Sequence, residues 1–362
     1  MNRRHLLLGG GAVAIAGLGA YAATRGPSYE AEAEAVWAAR TPVQLGELEY
    51  LVHHATLAAN SHNTQPWLFS GGTDHVSIRP DPGRATPVVD PDNHHLFASL
   101  GCAAENLSLA ASASGRSSTI DVLADEDEVR ISLGDGTTVR DGLFDAIHER
   151  QCTRSTYDGR AVPPEDLKTL EAAARVAGCS LMLVTEKSRM EQILELILTA
   201  NAAQIGDPAF VAELKHWLRF NAADAISHRD GLYSACSGNP TMPGWIADMV
   251  FGLAFTAKSE NAKCAKQVRS SAGFAVFVSD SNDKAHWVQA GRSYQRFALA
   301  STALGLRHAF LNQPVEVAPY RPELAALLGI GARRPDLLVR FGYGDAMPRS
   351  LRRPVSEVIV AG

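Results

Sequence analysis

The chain has 362 residues, 46% of them hydrophobic, enough to bury a large core as one big domain or two intertwined smaller ones. A formal net charge of -5 offers no basic excess for the phosphate backbone of nucleic acid, and aromatic residues make up only 7%. The five cysteines, Cys102, Cys152, Cys179, Cys236 and Cys264, show neither CxxC nor metal-ligand spacing, which argues against a zinc site or a disulfide framework.

At the start, Asn2-Arg3-Arg4-His5-Leu6-Leu7 leads into an uncharged, glycine-rich apolar run from Leu6 to Ala23 that ends in Ala20-Tyr21-Ala22. Residues 1–23 read as a twin-arginine export signal with an Ala-x-Ala cleavage option; left uncleaved, the run is just long enough to anchor the chain in a membrane. Residues 24–40 are polar and rich in Ala and Glu, a linker or short helix. From there Leu45, Leu48, Leu51, Val52, Ala55 and Ala59 recur at helical spacing, and Trp67-Leu68-Phe69 reads as a strand start. Between them lies Ala59-Asn60-Ser61-His62-Asn63-Thr64-Gln65-Pro66-Trp67, a helix-to-strand loop of small polar residues suited to lying against a planar ligand.

The chain then repeats itself. Gly101, Leu107, Leu109, Ala110 and Gly115 recur at one constant interval as Gly291, Phe297, Leu299, Ala300 and Gly305, and β-like runs follow at Ser118–Leu123 and His308–Leu311. Leu48, Leu51 and Ala55 correspond likewise to Leu167, Leu170 and Ala174, after which Cys179–Val184 reads as a buried strand. An internal duplication follows, with halves at 41–140 and 141–362 and an α+β composition. The halves differ where a ligand site would differ. The first keeps the polar loop, whereas the second carries Glu149-Arg150-Gln151-Cys152-Thr153-Arg154-Ser155 ahead of its Leu167 helix. An insertion at 220–261, containing Tyr233–Trp245 and an apolar helix up to Phe255, is a candidate lid. The pairs His53-His54 and His94-His95, and His62, lack a third ligand at sensible spacing and read as packing or surface residues, with no metal site.

The motif Ser61-x-Asn63-x-Gln65-Pro66-Trp67 resembles the flavin-contacting loop of the FMN-dependent nitroreductase family. Arg150 to Tyr157 with Val162-Pro163-Pro164-Glu165 resembles that family's phosphate-binding motif, and Asp336–Gly344 with Pro348–Pro354 its last core strand and basic tail. The motif order is that of two family units fused into one chain, as in the Acg-like branch. The resemblance implies a nitroreductase-like fold of two intertwined halves, each with a central, mostly antiparallel sheet flanked by helices. It implies one FMN per monomeric pseudo-dimer, its phosphate held by Arg150, Arg154, Arg349 and Arg352, with Ser155 as a hydroxyl donor and Arg353 in reserve. Guanidinium forks suit such a dianion. Ser61 and Asn63 would edge the ring or ribityl chain, Gln65 completes the loop, and Asn312 and Gln313 would lie near flavin N5. No protein nucleophile is needed, because the flavin carries the electrons. The implied activity is ping-pong electron transfer from a small-molecule donor to a nitroaromatic, quinone or similar acceptor. Export by the twin-arginine translocase would put the protein in the periplasm or on the inner membrane, away from cytosolic NAD(P)H. That conflict motivates an alternative, an FMN-sequestering protein with little turnover; a scaffold that binds no flavin is a third reading.

Overall fold

The computed structural model describes residues 28–361. The twin-arginine motif and its apolar run therefore lie outside the described residues, and no described helix is long and apolar enough to cross a membrane. The longer helices are α1 (Tyr29–Trp37), α2 (Glu47–Thr56), α3 (His94–Ala113), α4 (Pro164–Ala173), α5 (Lys187–Ile205), α6 (Pro208–Trp217), α7 (Ala222–His228), α8 (Gly244–Ala254), α9 (Ala257–Arg269), α10 (Lys284–Ala303) and α11 (Arg321–Leu328). The strands are β1 (Trp67–Gly71), β2 (His75–Pro80), β3 (Arg116–Leu123), β4 (Glu128–Asp135), β5 (Cys179–Val184), β6 (Leu218–Arg219), β7 (Leu232–Tyr233), β8 (Gly273–Ser279), β9 (Arg307–Phe310) and β10 (Pro335–Gly342).

Two four-stranded antiparallel sheets, ordered β1-β2-β4-β3 and β5-β8-β10-β9, make the fold an α+β architecture of two halves. Strand for strand the second order repeats the first. In each half a helix precedes the edge strand, a second strand pairs with it, a 20-residue helix crosses over, and two more strands complete the sheet. The two long helices, α3 and α10, pack against each other through the matched glycines. A Cβ on Gly101 would sit 2.1 Å from the Val288 carbonyl oxygen, and one on Gly291 would sit 1.9 Å from that of Ala98. Only glycine allows backbones this close. At the matched crossing the Cys102 thiol donates to the Gly291 carbonyl at 3.2 Å. One turn on, Asn106 Nδ2 donates to the His54 carbonyl at 2.9 Å and Arg296 Nε to the Ala173 carbonyl at 2.6 Å. Each long helix thus donates to a carbonyl at the C-terminal end of its own half's shorter helix.

Strands β8 and β10 are buried along their whole length. Ala275, Phe277, Leu337 and Val339 face the core shared with α3 and α10, while Phe274, Val276, Val278 and Leu338 face a second core built by α5, α9 and α11. The period of two puts alternate side chains into different cores. That second core arises because β5 and β8 are joined through residues 185–272, where the first half has only the turn 72–74 between β1 and β2. The helical excursion is therefore wider than the stretch 220–261 read as an insertion. The run Cys179–Val184 is a strand as expected but lies at a sheet edge, and only its last residue is fully buried. The halves interlock at the C-terminus, where Phe69 N donates to the Val358 carbonyl at 2.7 Å and Val360 N to the Phe69 carbonyl at 2.8 Å.

Two buried histidines carry a consequence for stability. His54 and His308 are fully buried, and burial pushes each down to about 3 from an ordinary 6.5. The unfolded chain takes up these protons first, so stability is complete above pH 6.5 and is lost as pH falls from there toward 3. Each histidine is expected to cost about 2 kcal/mol by pH 5. Asp336, which burial raises to about 6, offsets part of this. Urea midpoints should fall between pH 7 and pH 5; unchanged midpoints would contradict the buried neutral histidines.

Candidate functional site

The polar loop leaves α2 and turns sharply onto β1 with three non-glycine residues in left-handed conformation, His62 (φ 47°), Asn63 (φ 54°) and Gln65 (φ 54°). Such backbone persists only where the surroundings over-determine it. Here two buried amides do so. Asn63 Nδ2 donates to the carbonyls of Gly231 and Leu351 at 3.1 and 3.2 Å, and its Oδ1 accepts from Arg352 Nη1 at 2.8 Å. Gln65 Nε2 donates to the Arg229 carbonyl at 2.9 Å, and its Oε1 accepts from Arg353 N at 2.8 Å. Both side chains are committed to fastening the loop to the second half, which differs from the ring-edge role expected of Asn63. Ala59, Asn60, Ser61 and His62 are the loop residues beside the larger open space.

That space is a cavity of about 270 Å³ between the halves. Asn60, Ser61 and His62 line it with His95 and Cys102 of α3, together with Phe310 at the end of β9 and Asn312 and Gln313 just beyond. Helices of the excursion roof it through Gln204, Phe210, Leu214 and Gln267. Of the expected lid, Leu232, Phe255 and Glu260 reach the cavity. Tyr233 and Cys236 instead pack beneath α1 with Tyr29 and Leu351. A smaller cavity of about 60 Å³ adjoins it, and Ala59, Asn60, Arg154, Leu232 and Phe310 line both.

Arg150, Arg154, Arg349 and Arg352, brought from opposite ends of the second half, line this smaller cavity together. Trp37 of α1 is their hub, with the guanidinium carbons of Arg150, Arg349 and Arg352 at 5.8, 5.3 and 5.0 Å from its ring. The segment read as a linker or short helix is helical and builds a wall of the site, held by Trp37 Nε1 donating to the Ser350 carbonyl at 2.9 Å and Tyr29 Oη to that of Arg349 at 2.7 Å. Nothing in its Ala/Glu composition signals this; a buried Trp in a polar stretch is the available hint. Arg349 pairs with Glu149 at 2.6 Å. By contrast, Arg150 and Arg352 are buried, and neither has a carboxylate partner among the described residues. Arg352 donates to the carbonyls of Thr56 at 2.7 Å and Ala58 at 3.3 Å. Arg150 donates to the Leu57 carbonyl at 2.8 Å, and its Nε is left without a partner. Burial first, then the Arg150 charge, pulls Arg352 down to about 9. Half-buried Arg154 makes no side-chain hydrogen bond or ion pair among the described residues. Uncompensated cations around a small pocket make it a candidate anion site.

Ser155 and Gln65 line neither cavity. The Ser155 hydroxyl is buried without a partner, and its carbonyl accepts from Arg340 at 2.7 Å. Asn312 Oδ1 accepts from Leu338 N at 2.8 Å, which fixes its amide, while Gln313 Oε1 has no partner. The titrating groups His62, His95 and Glu316, which sequence reasoning left out of the site, also line the larger cavity. Burial and the Arg154 charge hold His62 down to about 4, and burial raises Glu316. Beside His95, the ligating atoms of Asp90, His94 and His95 lie within 4.8 Å of one another. The fold thus supplies the third ligand that the sequence lacked, but both Asp90 oxygens accept from backbone N–H groups, of His95 at 3.0 Å and Leu96 at 2.9 Å, as a cap on α3.

No protein-family model matches the chain. Two Mycobacterium tuberculosis proteins, named as candidate NAD(P)H nitroreductases in two strains, are each 24% identical to it over 316 residues, covering 84% of this chain and 88% of the relative. Among solved structures, a nitroreductase with bound FMN from Bacteroides fragilis is 15% identical, covers 57% of this chain and 90% of its own, and superposes with a TM-score of 0.35. An FMN-dependent nitroreductase from Mycobacterium smegmatis in complex with NADPH is 15% identical, covers 56% and 88%, and scores 0.36. The mycobacterial relatives align over most of both chains.

Proposed function

We propose that this protein is an FMN-binding oxidoreductase of the nitroreductase family, a fused pseudo-dimer holding one FMN per chain. The observation that carries the reading is the pair of buried guanidiniums, Arg150 and Arg352, that lack carboxylate partners at the narrow end of a cavity walled by both halves. A phosphate dianion there would supply the missing counter-charge. Arg154, shared between the two cavities, would follow the ligand from phosphate toward ring. When bound, FMN supplies the hydride chemistry. The chain's own part is to position it: Ser61 and Asn60 line one side, Gln313 offers an unpartnered acceptor on the other, and the excursion helices limit water. We assign the donor and acceptor as small molecules used in turn, with nitroaromatics or quinones as acceptors. With residues 1–23 read as a twin-arginine signal, the site of action is the periplasm or the inner membrane.

The roof formed by α5, α6 and α9 favours a second reading, an FMN store with little turnover. Anaerobic titration separates the two. The purified protein should show a flavin spectrum at one FMN per chain and should bleach with NADPH or NADH as well as with dithionite. Bleaching by dithionite alone would overturn nicotinamide-driven turnover and favour the store, whereas a colourless protein after incubation with FMN would overturn both.

A further inference from the structure

The geometry points to α8 as a membrane-docking helix that rests on an anionic bilayer surface beside the cavity. Trp245, Met249 and Leu253 recur every fourth residue along its 11 residues and are 71%, 65% and 81% exposed. Elsewhere among the described residues the exposed large hydrophobics are single valines, Val43, Val88, Val139 and Val360. Its inner face is apolar too, with Ala247 buried and Phe251 packed on Phe220 and Phe255 at 6.0 and 4.9 Å between ring centroids. A helix that is hydrophobic on both faces belongs in a core or in contact with lipid.

Three observations favour a bilayer over a second copy of the chain. One is scale: a stable protein interface needs roughly 800 Å² per partner, and a stripe of three side chains on one short helix falls well below it. Shallow insertion by about 5–10 Å needs no more than such a stripe, and Trp is a side chain that settles at that depth. The second is charge. A capping box at Thr256 and Ser259 turns the chain directly into α9, whose first turn carries exposed Lys258 and whose last turn carries exposed Lys266, against the single acid of the α8 sequence, Asp248, although the protein as a whole is acidic. The third is the apolar run Leu6–Ala23 in the sequence, which would bring the body of the protein to a membrane if retained. Phe255, which follows the stripe, also lines the cavity, so docking would set the site beside the lipid surface. The inference does not depend on what the cavity holds.

Tryptophan quenching by brominated lipids tests it on the full chain. Trp37, Trp67, Trp217 and Trp287 are all buried, so Trp245 dominates any quenching by lipid even where the N-terminal run binds the same vesicle. Vesicles of brominated phosphatidylcholine with phosphatidylglycerol should quench the emission, and W245F should lose most of that quenching. M249Q/L253Q should weaken partitioning about tenfold with the circular dichroism spectrum unchanged. Adding 0.5 M salt or omitting phosphatidylglycerol should weaken it further. Absence of quenching, equal quenching in W245F, or a dimer in solution that M249Q/L253Q dissolves would each overturn the docking assignment.

Discussion

Gly291→Ala is expected to destabilise the protein by about 3–5 kcal/mol, near the upper end for a single substitution. The new methyl carbon would lie 1.9 Å from the Ala98 carbonyl oxygen and 2.6 Å from its carbon. Both are backbone atoms within the 20-residue helix α3, so no side-chain rotation relieves the overlap. The alternative is to part α3 from α10, which breaks packing along both helices and the Cys102 contact to the Gly291 carbonyl. Alanine's better helix propensity returns only about 1 kcal/mol. Gly101→Ala should behave alike, because its Cβ would meet the Val288 carbonyl oxygen at 2.1 Å. Chemical denaturation of either variant checks this; a loss under 1 kcal/mol would mean the helices separate freely. The cavity is built on the two halves this crossing joins, so any FMN bound there should weaken in parallel.

The arginines should divide into two kinds. Arg154→Ala is expected to weaken FMN binding by about 1.5–3 kcal/mol, roughly tenfold to 150-fold, while leaving the melting temperature of the flavin-free protein unchanged. Its guanidinium holds nothing else in place. Arg352→Ala should weaken FMN binding to a similar degree and also destabilise the flavin-free fold by about 2–4 kcal/mol. That side chain bonds the Thr56 and Ala58 carbonyls and Asn63 Oδ1, so its loss frees both the end of α2 and the loop. Fluorescence titration with FMN, paired with thermal melts without it, separates the two patterns. Equal FMN affinity in wild type and Arg154→Ala would contradict the phosphate assignment.

Much of this was legible before any coordinates. Helix α2, the loop, β1, the two glycine-centred helices and the strands after them follow from periodicity and turn chemistry, which act over a few residues. The same holds for the paired glycines, since a repeated spacing in the sequence becomes a repeated close approach in the fold. The arginines were legible as a set through the two segments that resemble a phosphate-binding motif and a basic tail. The division of labour among them was not. Asn63 and Gln65 look like ligand contacts in the sequence, yet their amides are used up by carbonyls and an N–H group more than 160 positions away. Trp37 looked like part of a linker for the same reason, since its partners lie at the far end of the chain.

By itself, then, the sequence determined the element types, the repeated two-half plan and the residues from which an anion site could be assembled, because these depend on local spacing and on charge. Only the tertiary structure decided which polar groups remain free. A side chain faces a ligand only if no distant backbone has already satisfied it, and long-range hydrogen bonding settles that: it commits Asn63, Gln65 and Asn312 to the scaffold and leaves Arg150, Arg154 and Gln313 with unmet valence around the cavity.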